Sequence, residues 1–174
     1  MALNVRSQSF AFAVVEGPGQ LLDWGAKSFR GGVNAVGVPA GKKVAALLTE
    51  YCPDVIVVKV ASRARLRKPV VRAVKRVLNR SRCGTVRFIE TQAVRRFFAR
   101  SYKARSKYAV AAIIARHFPE LAWKLPEISV RQQPKRKAED TEDHRVFIFE
   151  AIAAALTWFA TRRSRPKGEE AIPA

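Results

Sequence analysis

Three β-prone runs crowd the first 29 residues, and the links between them are only long enough for turns. Ala2, Leu3 and Val5 make the first run, around the polar Asn4. Phe10, Phe12, Val14 and Val15 make the second, after the link Arg6–Ser9, and Gln20–Phe29 makes the third. Gly17-Pro18-Gly19 separates the last two and is a strong turn signal. Parallel strands need a long crossover, so strands joined this closely must be antiparallel. The chain therefore opens with a meander whose first strand carries one polar side chain in an apolar setting, Asn4.

Beyond the meander the pattern changes from strands alone to alternation. Gly31-Gly32 ends the opening, and Asn34–Tyr51 shows apolar residues at Val38, Val44, Ala45, Leu47 and Leu48, spaced for a helix. Pro53-Asp54 breaks that helix. The β-branched run Val55-Ile56-Val57-Val58 then reads as a central strand covered on both faces, ending at Lys59. Lys68–Leu78 places Val70, Val71, Val74, Val77 and Leu78 on one helical stripe. Thr85–Ile89 reads as a fifth strand. Thr91 is placed to cap a short helix carrying Val94, Phe97 and Phe98. Lys107–Phe118 is a second amphipathic helix, with Tyr108, Ala111, Ala112 and Ala115 as its expected inner face. Residues 119–140 hold three prolines and read as an irregular, mobile excursion. Glu142–Arg162 is a last, strongly apolar helix. The reading is one domain over 1–162, with residues 163–174 as a disordered tail of mixed charge.

Charge narrows the class of partner. The 174 residues carry a net charge of +19. Between Lys59 and Arg116 there are 18 Lys or Arg and one acid, Glu90. Such a balance calls for a polyanion, with nucleic acid ahead of an anionic membrane surface. Arg63, Arg65, Arg67 and Lys68 follow the fourth strand, and Arg72 lies on the next helix. Arg95, Arg96, Arg100, Lys103, Arg105 and Lys107 form a second cluster, with Tyr102 and Tyr108 interleaved. Cations of this kind neutralise phosphates, and tyrosines can stack on exposed bases. Phe97 and Phe98 read as core.

Other chemistries find no support in the residues. Cys52 and Cys83 lack metal-ligand spacing and read as free thiols of a reducing compartment. The longest apolar stretch, Ala151–Ala160, is too short to span a bilayer, and the expectation is a cytoplasmic protein without membrane contact. There is no Walker motif, zinc spacing or Ser/His/Asp set. His117 ends a helix and His144 adjoins Asp143, and neither by itself suggests catalysis.

The order β-β-β-α-β-α-β-α-α-loop-α, with Leu3-Asn4-Val5-Arg6-Ser7 on the first strand, resembles the ribonuclease-H-like superfamily, and within it the RuvC-type Holliday-junction resolvases. The resemblance spans nearly the whole chain. It implies an α/β fold: a mixed five-stranded sheet, antiparallel meander then parallel strands, flanked by helices. In that family the first strand carries an aspartate where Asn4 stands, the fourth strand ends in a glutamate where Lys59 stands, and the last helix carries (Phe/Ala)-Asp-Ala where this chain has Phe149-Glu150-Ala151. A further acid of many resolvases falls at Phe147. The family's carboxylates hold two magnesium ions for an in-line phosphoryl displacement.

The resemblance implies a site at Asn4, Lys59, Asp143 and Glu150, with Asn4 and Lys59 departing from the acids expected there. An ammonium cannot ligate a metal and repels one. Three functions stay open at this point. The first is a RuvC-like protein that binds branched or structured DNA, with a degraded two-metal site, Lys59 pairing with Glu150 or Asp143, and no cofactor. The second is an active magnesium- or manganese-dependent crossover-junction endonuclease, with Glu150 and Asp143 as metal ligands and Glu142 in reserve. The third is a non-enzymatic scaffold for an acidic protein partner. DNA stands ahead of RNA, no small-molecule cofactor is expected, and the family's habit implies a homodimer through the Lys68–Leu78 region.

Overall fold

A computed structural model of the chain describes residues 1–31, 35–60, 69–125 and 144–163. Arg63, Arg65, Arg67, Lys68, Glu142 and Asp143 lie outside these, as do residues 126–140 of the expected excursion and 164–174 of the expected tail. The strands are β1 (Ala2–Val5), β2 (Ser9–Val15), β3 (Leu21–Ser28), β4 (Val55–Val60) and β5 (Thr85–Glu90). They form one sheet in the order β3-β2-β1-β4-β5. The meander pairs antiparallel, β1 with β2 and β2 with β3, while β1 with β4 and β4 with β5 pair parallel. The helices are α1 (Gly37–Tyr51), α2 (Pro69–Arg80), α3 (Thr91–Tyr102), α4 (Lys107–His117) and α5 (His144–Arg163). The mixed five-stranded sheet expected from the sequence is the one that forms.

Strand periodicity divides the core in two. Leu3, Val5, Phe10, Phe12, Val14, Ile56 and Val58 point to one face and pack with Ala40, Val44, Leu47 and Leu48 of α1 and with Val70, Val71, Val74 and Leu78 of α2. Ala2, Ala11, Ala13 and Val57 point to the other, against Phe147, Phe149, Ala151, Ile152 and Ala153 of α5. The division is one of size: large side chains meet α1 and α2, while a stripe of alanines lets the alanine-rich centre of α5 lie close to the sheet. Gly25, paired with Phe12 across the β2–β3 ladder, belongs to the first face. A Cβ there would sit 2.8 Å from the Phe12 ring, so only glycine leaves the ring its place.

Local chemistry fixes the ends of several elements. Pro69 opens α2, where a missing N–H costs nothing. Ser106 caps α4, its hydroxyl accepting from the Ala109 amide at 3.1 Å. Cys52 ends α1 in a left-handed conformation (φ 35°), with its amide bonded to the Leu48 carbonyl, and Pro53 prevents further winding.

Four sequence expectations are corrected. Thr91 is the first residue of α3 and not its cap; Glu90 holds the cap position with no side-chain bond to the helix. Tyr108 is 39% exposed, because α4 buries Ala111, Ile114 and Ala115, and the first turn reaches past that contact. Val38 is 65% exposed, six residues before Val44 and so off the inward stripe of α1. Residues 119–124 are not an irregular excursion: Pro119–Lys124 is a 3₁₀ helix anchored by the fully buried Leu121. Among the described residues no helix is long and apolar enough to cross a membrane.

Candidate functional site

The same alternation that sorts the core delivers polar side chains to one point. Asn4 on β1 and Lys59 on β4 are direct neighbours in the parallel ladder. Asn4 shares the parity of Ala2, and Lys59 that of Val57, so both point to the α5 face. They sit at the carboxyl ends of their strands, and both are buried, at 4% and 6% exposure. A lysine buried that deeply needs an anion.

Helix α5 supplies it. Glu150 Oε2 accepts from Asn4 Nδ2 at 2.8 Å and pairs with Lys59 Nζ at 3.1 Å. Arg6 Nη2 reaches the same oxygen at 3.2 Å. One carboxylate oxygen thus meets an amide, an ammonium and a guanidinium drawn from three segments. Asn4 Nδ2 also points at the Phe147 carbonyl oxygen at 3.4 Å. The Phe147 ring lies under the Arg6 guanidinium, 4.4 Å from its centroid, a cation–π contact. Among the described residues no buried side-chain nitrogen or oxygen lacks a partner.

Burial is the largest single influence on Glu150 and pushes its carboxyl up, but Lys59, Asn4 and Arg6 together outweigh it and hold the carboxyl below its ordinary range. Burial also dominates at Lys59 and pushes the ammonium down; Glu150 opposes this, while the charges of Arg6 and of Arg95 on α3 add to it. The downward shift of Glu150 follows from its cationic and amide partners, and that of Lys59 chiefly from burial.

Asn4, Lys59 and Glu150 therefore meet, although 146 positions separate the first from the last. Arg6 is the member that sequence reasoning missed as a site residue. The available signal was parity, since Arg6 lies two residues after Asn4 and so returns to the same side of the chain. Of the basic residues, Arg72, Arg95, Arg96, Arg100, Lys103, Arg105 and Lys107 are all exposed. Tyr102 is 51% exposed beside this cluster, and the Lys107 ammonium lies 5.5 Å from the Tyr108 ring.

Two divalent ions do not suit the described residues of this cluster, which leave out Glu142 and Asp143. Magnesium takes hard, preferably charged oxygen ligands in a near-octahedral shell. The described cluster sets one carboxylate against Arg6 and Lys59. Among the described residues no group of three or more His, Cys, Asp or Glu is placed to hold a metal. Lys59 within a few ångströms of a divalent ion would cost on the order of several kcal/mol, even at a screened dielectric.

The sequence matches no protein-family model and no curated protein. The fold has clear counterparts. RuvC from Thermus thermophilus, solved with a Holliday-junction substrate, superposes with a TM-score of 0.64 at 15% identity, covering 94% of each chain. A second structure of Thermus thermophilus RuvC gives 0.58 at 15% identity, over 93% of this chain and 94% of that one. Ydc2, the yeast mitochondrial Holliday-junction resolvase, gives 0.55 at 9% identity, over 93% of this chain and 80% of that one. At these identities the likeness is one of architecture: the chain has the ribonuclease-H-like fold seen in RuvC.

Proposed function

We propose that the chain is a RuvC-like nucleic-acid-binding protein, directed at branched or structured DNA, that holds its substrate without the two-metal cleavage step. The observation that carries this reading is the Asn4–Lys59–Glu150–Arg6 cluster. By the resemblance, Asn4 and Lys59 stand at the strand ends where those nucleases carry metal-binding carboxylates, and here the remaining carboxylate, Glu150, is taken up in an internal ion pair. Lys59 neutralises Glu150 as a metal would, but it presents no open coordination position for a water or a phosphoryl oxygen. The charge of Arg95 on α3 is felt at Lys59, and Arg96, Arg100, Lys103, Arg105 and Lys107 of α3 and the segment after it are exposed. A fold seen elsewhere on a Holliday junction, together with these exposed cations, supports a phosphate-rich partner.

The test combines binding with cleavage. Labelled four-way junction, duplex and single-stranded DNA, and an RNA junction, are titrated with the protein over a range of salt, then incubated with magnesium or manganese. The expected result is tightest binding to the DNA junction, a steep salt dependence, and intact strands. Asn4→Asp alone remains inactive because Lys59 still fills the second ligand position. Asn4→Asp with Lys59→Glu is the change that restores metal affinity. Metal-dependent cutting by the unaltered protein, abolished by Glu150→Gln, would establish an active endonuclease instead. Affinity indifferent to salt would favour the scaffold for an acidic protein.

A further inference from the structure

The opposite end of β4 brings together two groups that sequence spacing keeps apart. Cys52 precedes β4 and Cys83 precedes β5, 31 residues later, yet Cys52 Sγ donates to Cys83 Sγ at 3.7 Å. Neither cysteine is held in a disulfide. Cys52 is exposed and Cys83 partly so, which leaves the pair open to a solute from solvent.

Backbone contacts fix this approach on both sides. Val55 pairs with Thr85 as the first rung of the β4–β5 ladder, and the Thr85 amide donates to the Asp54 carbonyl at 2.8 Å. Gly84 between them has φ +61°, and a Cβ there would run into the carbonyl oxygens of Pro53 and Asp54. The segments carrying the two cysteines are thus pressed backbone to backbone. Cys52 is held by the hydrogen bond its backbone amide donates to the Leu48 carbonyl, and Cys83 by the one its backbone amide donates to the Ser81 hydroxyl at 3.1 Å. The Cys83 thiol also points at the Leu48 carbonyl, 3.6 Å away, so both cysteines refer to the same turn of α1. A disulfide bond is about 2.05 Å long, so closing it asks for a shift of under about 2 Å between the sulfurs.

We propose that Cys52 and Cys83 are a reversible disulfide-forming pair, oxidised by a small disulfide such as oxidised glutathione. The exposed Cys52 gives up its proton, and its thiolate attacks one glutathione sulfur. The glutathione S–S bond breaks, one glutathione thiolate leaves and takes up a proton, and a mixed disulfide forms at Cys52. The Cys83 thiolate, having lost its own proton, then attacks the Cys52 sulfur and expels the second glutathione. In sum, two protein thiols and one oxidised glutathione become one protein disulfide and two reduced glutathiones. The hydrogen bond to Cys83 and its charge, then partial desolvation and Asp54, raise the Cys52 thiol above its ordinary value, which makes the first attack slow at neutral pH and faster in mild alkali. The bond would close a loop of chain through β4 and α2, tying the entry of one parallel strand to the entry of the next. This inference does not depend on the nucleic-acid reading.

The experiment uses the full chain, reduced and then incubated with oxidised glutathione, and reads intact mass, free thiols and thermal midpoint. The expected product is a monomer lighter by two hydrogen atoms, with no titratable thiol. Its midpoint should be higher by roughly 5–10 °C, returning to the starting value on reduction with dithiothreitol. Cys83→Ser should stop at a stable glutathione adduct on Cys52, because the resolving thiol is gone. Overturning results in the unaltered protein would be two thiols still titrating at the end, stable glutathione adducts, or disulfides only between molecules. These readouts need no variant to fold, so the proposal stands or falls on the protein itself.

Discussion

The two ends of β4 are built on opposite principles. At the carboxyl end Lys59 is buried with its charge, and amide, guanidinium and ammonium converge on a single carboxylate oxygen. At the amino end Pro53 and Asp54 meet Gly84 backbone to backbone, with two cysteine side chains alongside. Buried ion pairs seldom stabilise a fold beyond what apolar residues of similar volume would achieve, whereas close backbone packing costs no charge desolvation. A chain shaped by stability alone would have made both ends like the second. The difference is that the carboxyl end of the sheet carries a charge-desolvation cost that the amino end avoids.

The largest effect expected from that asymmetry is in binding. If the exposed cations of α3 and the segment after it contact six or more phosphates, affinity for DNA should fall by about a thousandfold or more between 50 and 200 mM salt. Charge reversal of Arg95, Arg96 and Arg100 together should flatten the slope of log affinity against log salt. Reversal of Arg82, exposed near the amino end, should leave the slope almost unchanged. Equal losses from both sets would break the comparison.

Next in size is the response of the charged end to losing one partner. Glu150→Gln leaves Lys59 buried without its anion and should destabilise the fold by about 3–5 kcal/mol. Lys59→Met leaves Glu150 with Arg6 and Asn4, and replaces a buried charge by an apolar side chain, so it should cost far less. Urea midpoints of the two variants measure the difference. Similar losses from both would mean that Lys59 is not a desolvated cation.

A smaller stability effect belongs to the other end. Gly84→Ala forces a residue with a side chain into φ +61° and drives its Cβ against Pro53 and Asp54. A loss of about 1–3 kcal/mol is expected from the left-handed backbone and the displaced strand entry. Junction-DNA affinity, measured on the folded fraction, should not change. A loss of affinity equal to that of the Arg95, Arg96 and Arg100 reversal would show that the two ends are coupled.

The charged end was readable in the sequence for a reason absent at the other. Asn4, Lys59 and Glu150 stand at recognisable places, the first strand, the end of a β-branched run and a Phe-Glu-Ala on the last helix, and the resemblance to RuvC-type resolvases implies that such positions meet. Arg6 escaped because it falls in the link after β1, where the strand parity that would have pointed to it need not continue. The cysteine pair depends on the β4–β5 register, Val55 opposite Thr85, which no single-chain pattern specifies. The same limit hid Tyr108, whose exposure depends on where α4 leaves the cover of α5. Leu121 anchors a turn inside a proline-bearing stretch, where composition outweighed one apolar residue. Strand order and core alternation survived such errors because they rest on many residues at once.

The last and smallest effect is in pH, and it sets the two partners of the ion pair against each other. Burial pushes the Glu150 carboxyl up, but Lys59, Asn4 and Arg6 bring the net shift below the ordinary value of 4.5. A carboxyl with a depressed folded pKa contributes stability that is present above the unfolded pKa and lost as pH falls through the folded one. The unaltered protein should therefore lose stability as pH drops below about 4.5, and Glu150→Gln should lack that component. Lys59 is also lowered, from 10.5, chiefly by burial. A lysine so shifted costs stability while protonated, and the cost is relieved as pH rises from the folded pKa towards the unfolded one. The stability gap between the unaltered protein and Lys59→Met should change accordingly in alkali, while the gap to Glu150→Gln changes in acid. Urea midpoints at pH 3, 7 and 10 separate the two limbs. Parallel curves for all three proteins would show that the charged end titrates like surface, and that the contrast with the amino end is one of packing alone.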